Sequence, residues 1–183
     1  MRKLENLVDK YMLKLGAQRV QLPTLGPRNM WEKSGRWSEM HSSLFKLRDR
    51  LSHDYCLQPT HEECITSFVT SLKLSYKSLP VFLYQITSKF RDEPRPKNGL
   101  IRGHLYTFDA SAETAEETYE YVKTTYAELL ASLNLPYLIA RADPGHVGGL
   151  VSDEFHVPAI VGEDRILMCS NIHILSQLTP GAP

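Results

Sequence analysis

Apolar residues recur at helical spacing from the start of the chain: Leu4, Leu7, Val8, Tyr11, Met12 and Leu15, with Gly16 as a stop. This predicts a first helix over residues 2–15. A short strand over 18–22 follows, ended by Pro23. Residues 29–37 suit a short helix and turn whose Trp31 and Trp37 pack inward. Residues 44–48 and 54–58 suit two strands joined by a turn at 50–53. Thr60, with Glu63 three residues on, predicts a capping box. The helix it opens would bury Cys64, Ile65, Phe68, Val69 and Leu72. The β-rich run over 81–88 leads into a charged loop, and residues 103–108 suit the returning strand of a hairpin. A long helix is predicted over 112–133 and a strand over 137–141. Two further strands, over 155–161 and 165–169, would be joined by a turn at Gly162-Glu163-Asp164. The end, over 176–183, reads as unstructured. Neighbouring strands with short turns, flanked by a few helices, predict an α+β fold with an antiparallel sheet.

The chain has 183 residues, 42% of them hydrophobic and 23% charged, which is enough for a core and ordinary for a globular protein. Its 21 basic and 21 acidic residues cancel. That argues against a broad nucleic-acid grip, although a local basic patch stays open. Cys56, Cys64 and Cys169 are widely spaced and form no CxxC pair, so neither a zinc site nor a disulfide framework is suggested. No apolar run approaches the roughly 20 residues of a membrane span. The first residues lack an apolar signal segment, and no transit peptide is visible in them.

The loop from Phe90 to Gly103 carries Arg91 near its start and Arg102 near its end, with Asp92, Glu93, Arg95 and Lys97 between. A guanidinium fork matches phosphate and carboxylate oxygens two at a time, so the two arginines could hold a polyphosphate. A merely solvated hairpin loop is the alternative. No glycine-rich phosphate loop is present, so a nucleotide would depend on arginines rather than backbone amides. With Glu63 assigned to the helix cap, Glu62 is free to meet a ligand ammonium; alternatively both acids only compensate the helix dipole. Gly148-Gly149 fits a tight turn, and His146 and His156 have no nucleophile partner by motif.

Several segments together resemble a class II aminoacyl-tRNA synthetase, specifically a prolyl-tRNA synthetase of bacterial and mitochondrial type. They are Leu57-Gln58-Pro59-Thr60-His61-Glu62-Glu63, Ser75-Tyr76-Lys77-Ser78-Leu79-Pro80, and Tyr84-Gln85-Ile86-Thr87-Ser88-Lys89-Phe90-Arg91-Asp92-Glu93. Gly99-Leu100-Ile101-Arg102-Gly103, Asp153-Glu154-Phe155 and Gly162-Glu163-Asp164 extend the likeness over residues 4–169. The resemblance implies a class II synthetase-like antiparallel sheet flanked by helices. It implies proline–tRNA ligase activity: ATP activates proline to prolyl-adenylate, and proline then passes to tRNA(Pro). Arg91 would contact both the proline carboxylate and the α-phosphate. Glu93 would accept from the adenine amino group, and Arg102 would reach the outer phosphates. Thr60 and Glu62 would receive the proline amine. Magnesium would accompany ATP, with no residue assigned to a metal. Pro23 falls at the motif 1 position, whose surroundings would form a homodimer interface.

The short interval between the charged loop and Gly148 leaves no space for a large editing insertion, which resembles the mitochondrial form. By that resemblance the compartment is the mitochondrial matrix, with the cytoplasm as alternative.

The likeness also implies that the domain is incomplete. After Gly103, His104-Leu105 runs directly into Tyr106-Thr107-Phe108-Asp109, where the family inserts an Arg-Glu-Phe strand and a Lys-Asp pair. Asp153 stands where the family has histidine. Residues 1–175 are thus expected to form a partial catalytic domain with motifs 1 and 2 but without motif 3, an editing domain or an anticodon-binding domain. Such a chain would charge tRNA poorly. The alternative is a non-catalytic synthetase-like interaction or regulatory protein.

Overall fold

The computed structural model describes residues 2–40, 42–94, 103–145, 148–160, 162, 165–168 and 175–178. It divides into two compact units, residues 1–125 and 126–183. The first unit begins with α1 (Arg2–Lys14), β1 (Gln18–Arg19), β2 (Leu25–Pro27), α2 (Arg28–Lys33) and α3 (Arg36–Glu39). It continues with β3 (Lys46–Arg48), β4 (Asp54–Leu57), α4 (Glu62–Ser71), a 3-10 turn (Tyr76–Ser78), β5 (Val81–Ile86) and β6 (Gly103–Phe108). Helix α5 (Ala112–Ser132) begins in this unit and ends in the second, which adds β7 (Leu138–Arg141), β8 (Asp153–His156), β9 (Arg165–Met168) and β10 (Leu175–Leu178).

The α+β expectation holds, with three sheets that mix antiparallel and parallel pairs. In the first unit, β1 lies parallel to β5, and β5 and β6 form the expected hairpin, in register from Val81↔Phe108 to Ile86↔Gly103. Strand β6 is therefore an edge of that sheet among the described residues. The second sheet has the order β2-β4-β3, all antiparallel. The β3–β4 turn is held by Asp49, whose Oδ1 accepts from the Leu51 and His53 amides at 2.8 Å each. In the second unit the order is β8-β7-β10-β9.

Helix α1 forms as its periodicity predicts and buries Met12, with Leu15 also buried just beyond its end. Asp9 ties it to the first sheet, accepting from the Tyr84 hydroxyl at 2.8 Å and from Arg19 at 2.9 Å. The two tryptophans do pack inward. Trp31 and Trp37 join Leu44 and Cys56 in a buried cluster that seats α2 and α3 on the second sheet. At about 25 cal/mol per Å² and about 200 Å² per ring, each indole contributes on the order of 5 kcal/mol before entropic costs.

Four expectations are corrected. The capping box at Thr60 does not form: the N-cap of α4 is His61, with no side-chain cap bond. The Thr60 hydroxyl donates instead to the Glu62 carboxylate, and Glu63 pairs with Arg36. Charge-assisted bonds of that kind outcompete a neutral cap. Helix α4 buries Ile65 but leaves Phe68 and Leu72 exposed. Residues 155–161 and 165–169 do not pair as a hairpin; β8 pairs with β7, and β9 pairs with β10. Strand β10 also occupies Leu175–Leu178, within the end read as unstructured, because its backbone finds partners in β7 and β9.

Strand β6 brings His104 and Tyr106 inward. The Tyr106 hydroxyl accepts from the His61 amide at 3.1 Å and lies 3.2 Å from His104 Nδ1. Burial, with help from the Lys89 charge, pushes the His104 imidazole down to about 4. Neutral His104 can accept the Tyr106 proton at Nδ1; the imidazolium cannot.

Two stability predictions follow from this packing. A Cβ at Gly26 would lie 2.6 Å from Trp31 Nε1 and 3.1 Å from the Gln58 side chain. Gly26→Ala should therefore cost about 1–3 kcal/mol in urea melts, as overpacking does. The second concerns acid. Between the ordinary His104 value of 6.5 and about 4, the unfolded chain binds a proton that the folded chain refuses. Stability should thus fall as pH drops through that window, by up to about 3 kcal/mol, and the loss is complete below it. His104→Asn should remove this part of the slope in melts compared across the same pH range.

Candidate functional site

The loop between β4 and α4 is buried and polar. Gln58, Thr60 and His61 are each at most 4% exposed. Much of the polar capacity of Gln58 and His61 is taken by neighbouring backbone, although His61 Nδ1 is buried without a hydrogen-bond partner among the described residues. Gln58 N donates to Thr24 O at 2.9 Å, and Gln58 Nε2 to Pro23 O at 2.8 Å. His61 Nε2 also lies 2.9 Å from Pro23 O. A carbonyl only accepts, so this contact fixes His61 as the Nε2–H tautomer. Burial, then the Lys89 charge, lowers the His61 pKa and keeps the ring neutral.

This rigid loop sets the position of Thr60 and Glu62. The Thr60 hydroxyl donates to the Glu62 carboxylate, and Arg36 Nη1 donates to Glu62 Oε2 at 3.0 Å. Burial would raise the Glu62 carboxyl, but the bonds from Thr60 and Arg36 outweigh it and hold the pKa below the ordinary range. Glu62 is therefore ionised at neutral pH. Its side chain keeps 31% exposure, against 4% for Glu63. The arrangement offers a fixed carboxylate and a hydroxyl to a cationic group.

The segment after β5 runs back beside the same loop. Phe90 N donates to Gln58 O at 3.3 Å, and Asp92 N to Ser43 O at 3.1 Å. These two bonds bracket Arg91, whose side chain is exposed. Its charge reaches His104, helping to keep that ring neutral. Glu93 follows on the same segment. Arg102 lies outside the described residues, as do 95–101 of the loop. Of the sequence-predicted residues, the structure thus brings Thr60 and Glu62 into direct contact and carries Arg91 on an irregular segment tied to their loop.

Three further residues escaped sequence reasoning. Arg36 pairs with both glutamates. Lys89 is half-buried, hydrogen-bonded to Thr87, and burial brings its amine down to about 8. Tyr106 joins β6 to the His61 amide, its phenol raised first by burial and then by the Glu62 charge. For Arg36 a signal existed: a charged residue set between Gly35 and Trp37, in a segment predicted to pack.

A separate open groove of about 700 Å³ is lined by Arg28, Trp37, Lys46, Arg48 and Asp54 among others, and by none of the predicted site residues. Its guanidiniums are engaged, with both Arg28 and Arg48 bonded to Asp54. Among the described residues no cluster of three or more His, Cys, Asp or Glu side chains could build a metal centre. Gly148 and Gly149 have φ of +79° and +111° with open space around them, so they serve a turn. His156 Nε2 lies 3.1 Å from Glu154, while His146, Cys169, Glu163 and Asp164 fall outside the described residues. No described helix is long and apolar enough to cross a membrane.

Comparison with known proteins agrees with this geometry. The tRNA synthetase class II core domain (G, H, P, S and T) matches residues 45–162. The probable mitochondrial proline–tRNA ligase of Rattus norvegicus is 47% identical over 178 residues, covering 93% of this chain and 38% of that protein. Its Homo sapiens counterpart is 48% identical, covering 92% and 37%. The proline–tRNA ligase of Thermotoga maritima is 43% identical, covering 91% and 30%. The chain thus spans less than two-fifths of the length of these relatives. Among solved structures, Giardia lamblia prolyl-tRNA synthetase in complex with prolyl-adenylate aligns with TM-score 0.68 and 21% identity, over 75% of this chain and 30% of that one. The RNA binding domain of threonyl-tRNA synthetase from Cryptosporidium parvum aligns at 0.64 and 15%, over 76% and 36%. At those identities the likeness concerns the fold alone. The match over residues 45–162, which spans β4, α4 and the β5–β6 hairpin that build the site, makes the chain a member of the class II tRNA synthetase core-domain family of the Gly, His, Pro, Ser and Thr enzymes.

Proposed function

We propose that this chain carries the proline- and ATP-binding part of a proline–tRNA ligase. The observation that carries the reading is the Thr60–Glu62 pair on a buried loop, with Arg91 on the segment hydrogen-bonded to that loop, in a chain 47% identical to a proline–tRNA ligase. In this reading Thr60 and Glu62 receive the secondary ammonium of proline. Arg91 bridges the proline carboxylate and the α-phosphate of ATP. Those two anions repel, and a planar guanidinium relieves the repulsion and stabilises charge that builds on the phosphate. Carboxylate oxygen attacks phosphorus, pyrophosphate leaves, and prolyl-adenylate forms. Glu93 accepts from the adenine amino group, and Arg102 holds the outer phosphates.

The family implies ATP with a divalent metal. The described residues provide no carboxylate cluster to bind one, so magnesium would arrive on the phosphates of the nucleotide. Transfer to tRNA(Pro), a homodimer built around Pro23 and residence in the mitochondrial matrix are further parts of the proposal. The rat, mouse and human relatives named as mitochondrial support the last of these.

A non-catalytic interaction protein is the second reading. One observation favours it: β6, beside the site, is a sheet edge among the described residues.

Calorimetry with a non-hydrolysable prolyl-sulfamoyl-adenosine separates the two. We expect the chain to bind it, with the alanyl analogue weaker and charging of tRNA(Pro) slow. Arg91→Ala should weaken binding about 10- to 100-fold, the worth of a charge-assisted bond. Arg91→Lys should not restore it, because an ammonium lacks the planar fork. Failure of the unmodified chain to bind the analogue would favour the second reading.

A further inference from the structure

We propose that Arg36 is a positioning residue for the amine pocket: fixed on Trp31 and shared between Glu62 and buried Glu63, it aims the Glu62 carboxylate and leaves the pair one net negative charge for an incoming ammonium. The ligand in this statement rests on the proposed function; the electrostatic arrangement rests on this chain's own contacts.

The guanidinium is held through its two Nη atoms and over an indole ring. It lies 5.1 Å from the centroid of the Trp31 ring, its Nη2 reaches Met40 Sδ at 3.3 Å, and the residue is 8% exposed. From that seat one nitrogen, Nη1, donates to Glu62 Oε2 and to Glu63 Oε1, both at 3.0 Å. Glu63 is fixed a second time, by the Ser34 hydroxyl at 2.8 Å. Two carboxylates thus share a single guanidinium. The surplus charge falls on the more accessible of the two, Glu62, where the Thr60 hydroxyl sets the carboxylate plane.

Among the described residues Lys89 is a further cation in electrostatic reach of Glu62; burial brings its amine down to about 8, so it is mostly protonated at neutral pH and can shed its proton as a ligand cation enters. His61 is held neutral, and His104 more strongly so. A single buried anion flanked by weakened bases matches a monocation of modest size, such as a secondary ammonium. Without Glu63 the same guanidinium would neutralise Glu62 outright and remove the attraction.

NMR titration of isotope-labelled glutamate side chains tests the arrangement directly, with Glu62 assigned by its loss in Glu62→Gln. In the unmodified chain Glu62 should ionise below the ordinary glutamate range. Arg36→Met should raise it above that range, since burial is then unopposed. Arg36→Lys should restore it only in part, because an ammonium cannot stack on Trp31 and reach both acids. Glu63→Gln removes a like charge and keeps the shape, so it tests the idea even if both Arg36 variants fail to fold. It should move the Glu62 titration further down and weaken prolyl-sulfamoyl-adenosine binding roughly tenfold, the effect of about one lost unit charge at an effective dielectric near 20 after partial screening. A Glu62 titration unmoved by Glu63→Gln or by the Arg36 variants overturns the proposal. If the titration moves as expected while the unmodified chain binds no prolyl analogue, the electrostatic role stands and the proline reading fails.

Discussion

The carbonyl of Pro23 is the point through which the first unit is joined. One acceptor with two lone pairs takes a hydrogen bond from Gln58 Nε2 and another from His61 Nε2. Proline cannot donate, so the chain after β1 offers acceptor capacity there, and the β4–α4 loop is built from side chains that can supply donors. Both donors are about 1% exposed, where an unpaired amide or imidazole would cost about 1–3 kcal/mol. The loop is therefore not free to drift. Because Gln58 O also accepts from Phe90 N, the same residue fixes the segment that carries Arg91. A structural crosslink thus becomes a positioning device, converting three separate stretches of sequence into one site.

That dependence explains which features are legible in the sequence. Elements set by local periodicity come out well: α1, α5 and the β5–β6 hairpin lie within a residue or two of expectation. The inward tryptophans were also readable, because aromatic side chains of that size have few other places to go. Thr60 was misread for a physical reason. A capping box is a local pattern, and its members were claimed by other partners, Glu63 by Ser34 and Arg36, distant in sequence, and Thr60 by the ionised Glu62 two residues on. Local preference worth about 1 kcal/mol yields to charge-assisted bonds in a buried setting. The strand pairing of the second unit failed in the same way. Adjacency along the chain suggested β8 with β9, whereas the ladder β7-β10-β9 brings in a segment whose composition gave no strand signal.

Thr60 and Glu62 were singled out in the sequence, and the structure brings them into direct contact, by a bond between the two rather than through a freed helix-start carboxylate. Arg36 was not found, because nothing in the spacing of residues 36, 62 and 63 announces their meeting. What the sequence did display was its cost: a permanently charged side chain inside a tryptophan-rich segment must be paired or else destabilise the core.

Six residues of β6 pair fully with β5, in register from Val81↔Phe108 to Ile86↔Gly103. Its inward positions are filled by His104 and Tyr106, which bond to each other and to the His61 amide. The polar layer under the site is therefore closed from the β6 side by His104 and Tyr106. The bond from the His61 amide to Tyr106 ties the buried loop to β6, independently of whether further strands lie beyond it.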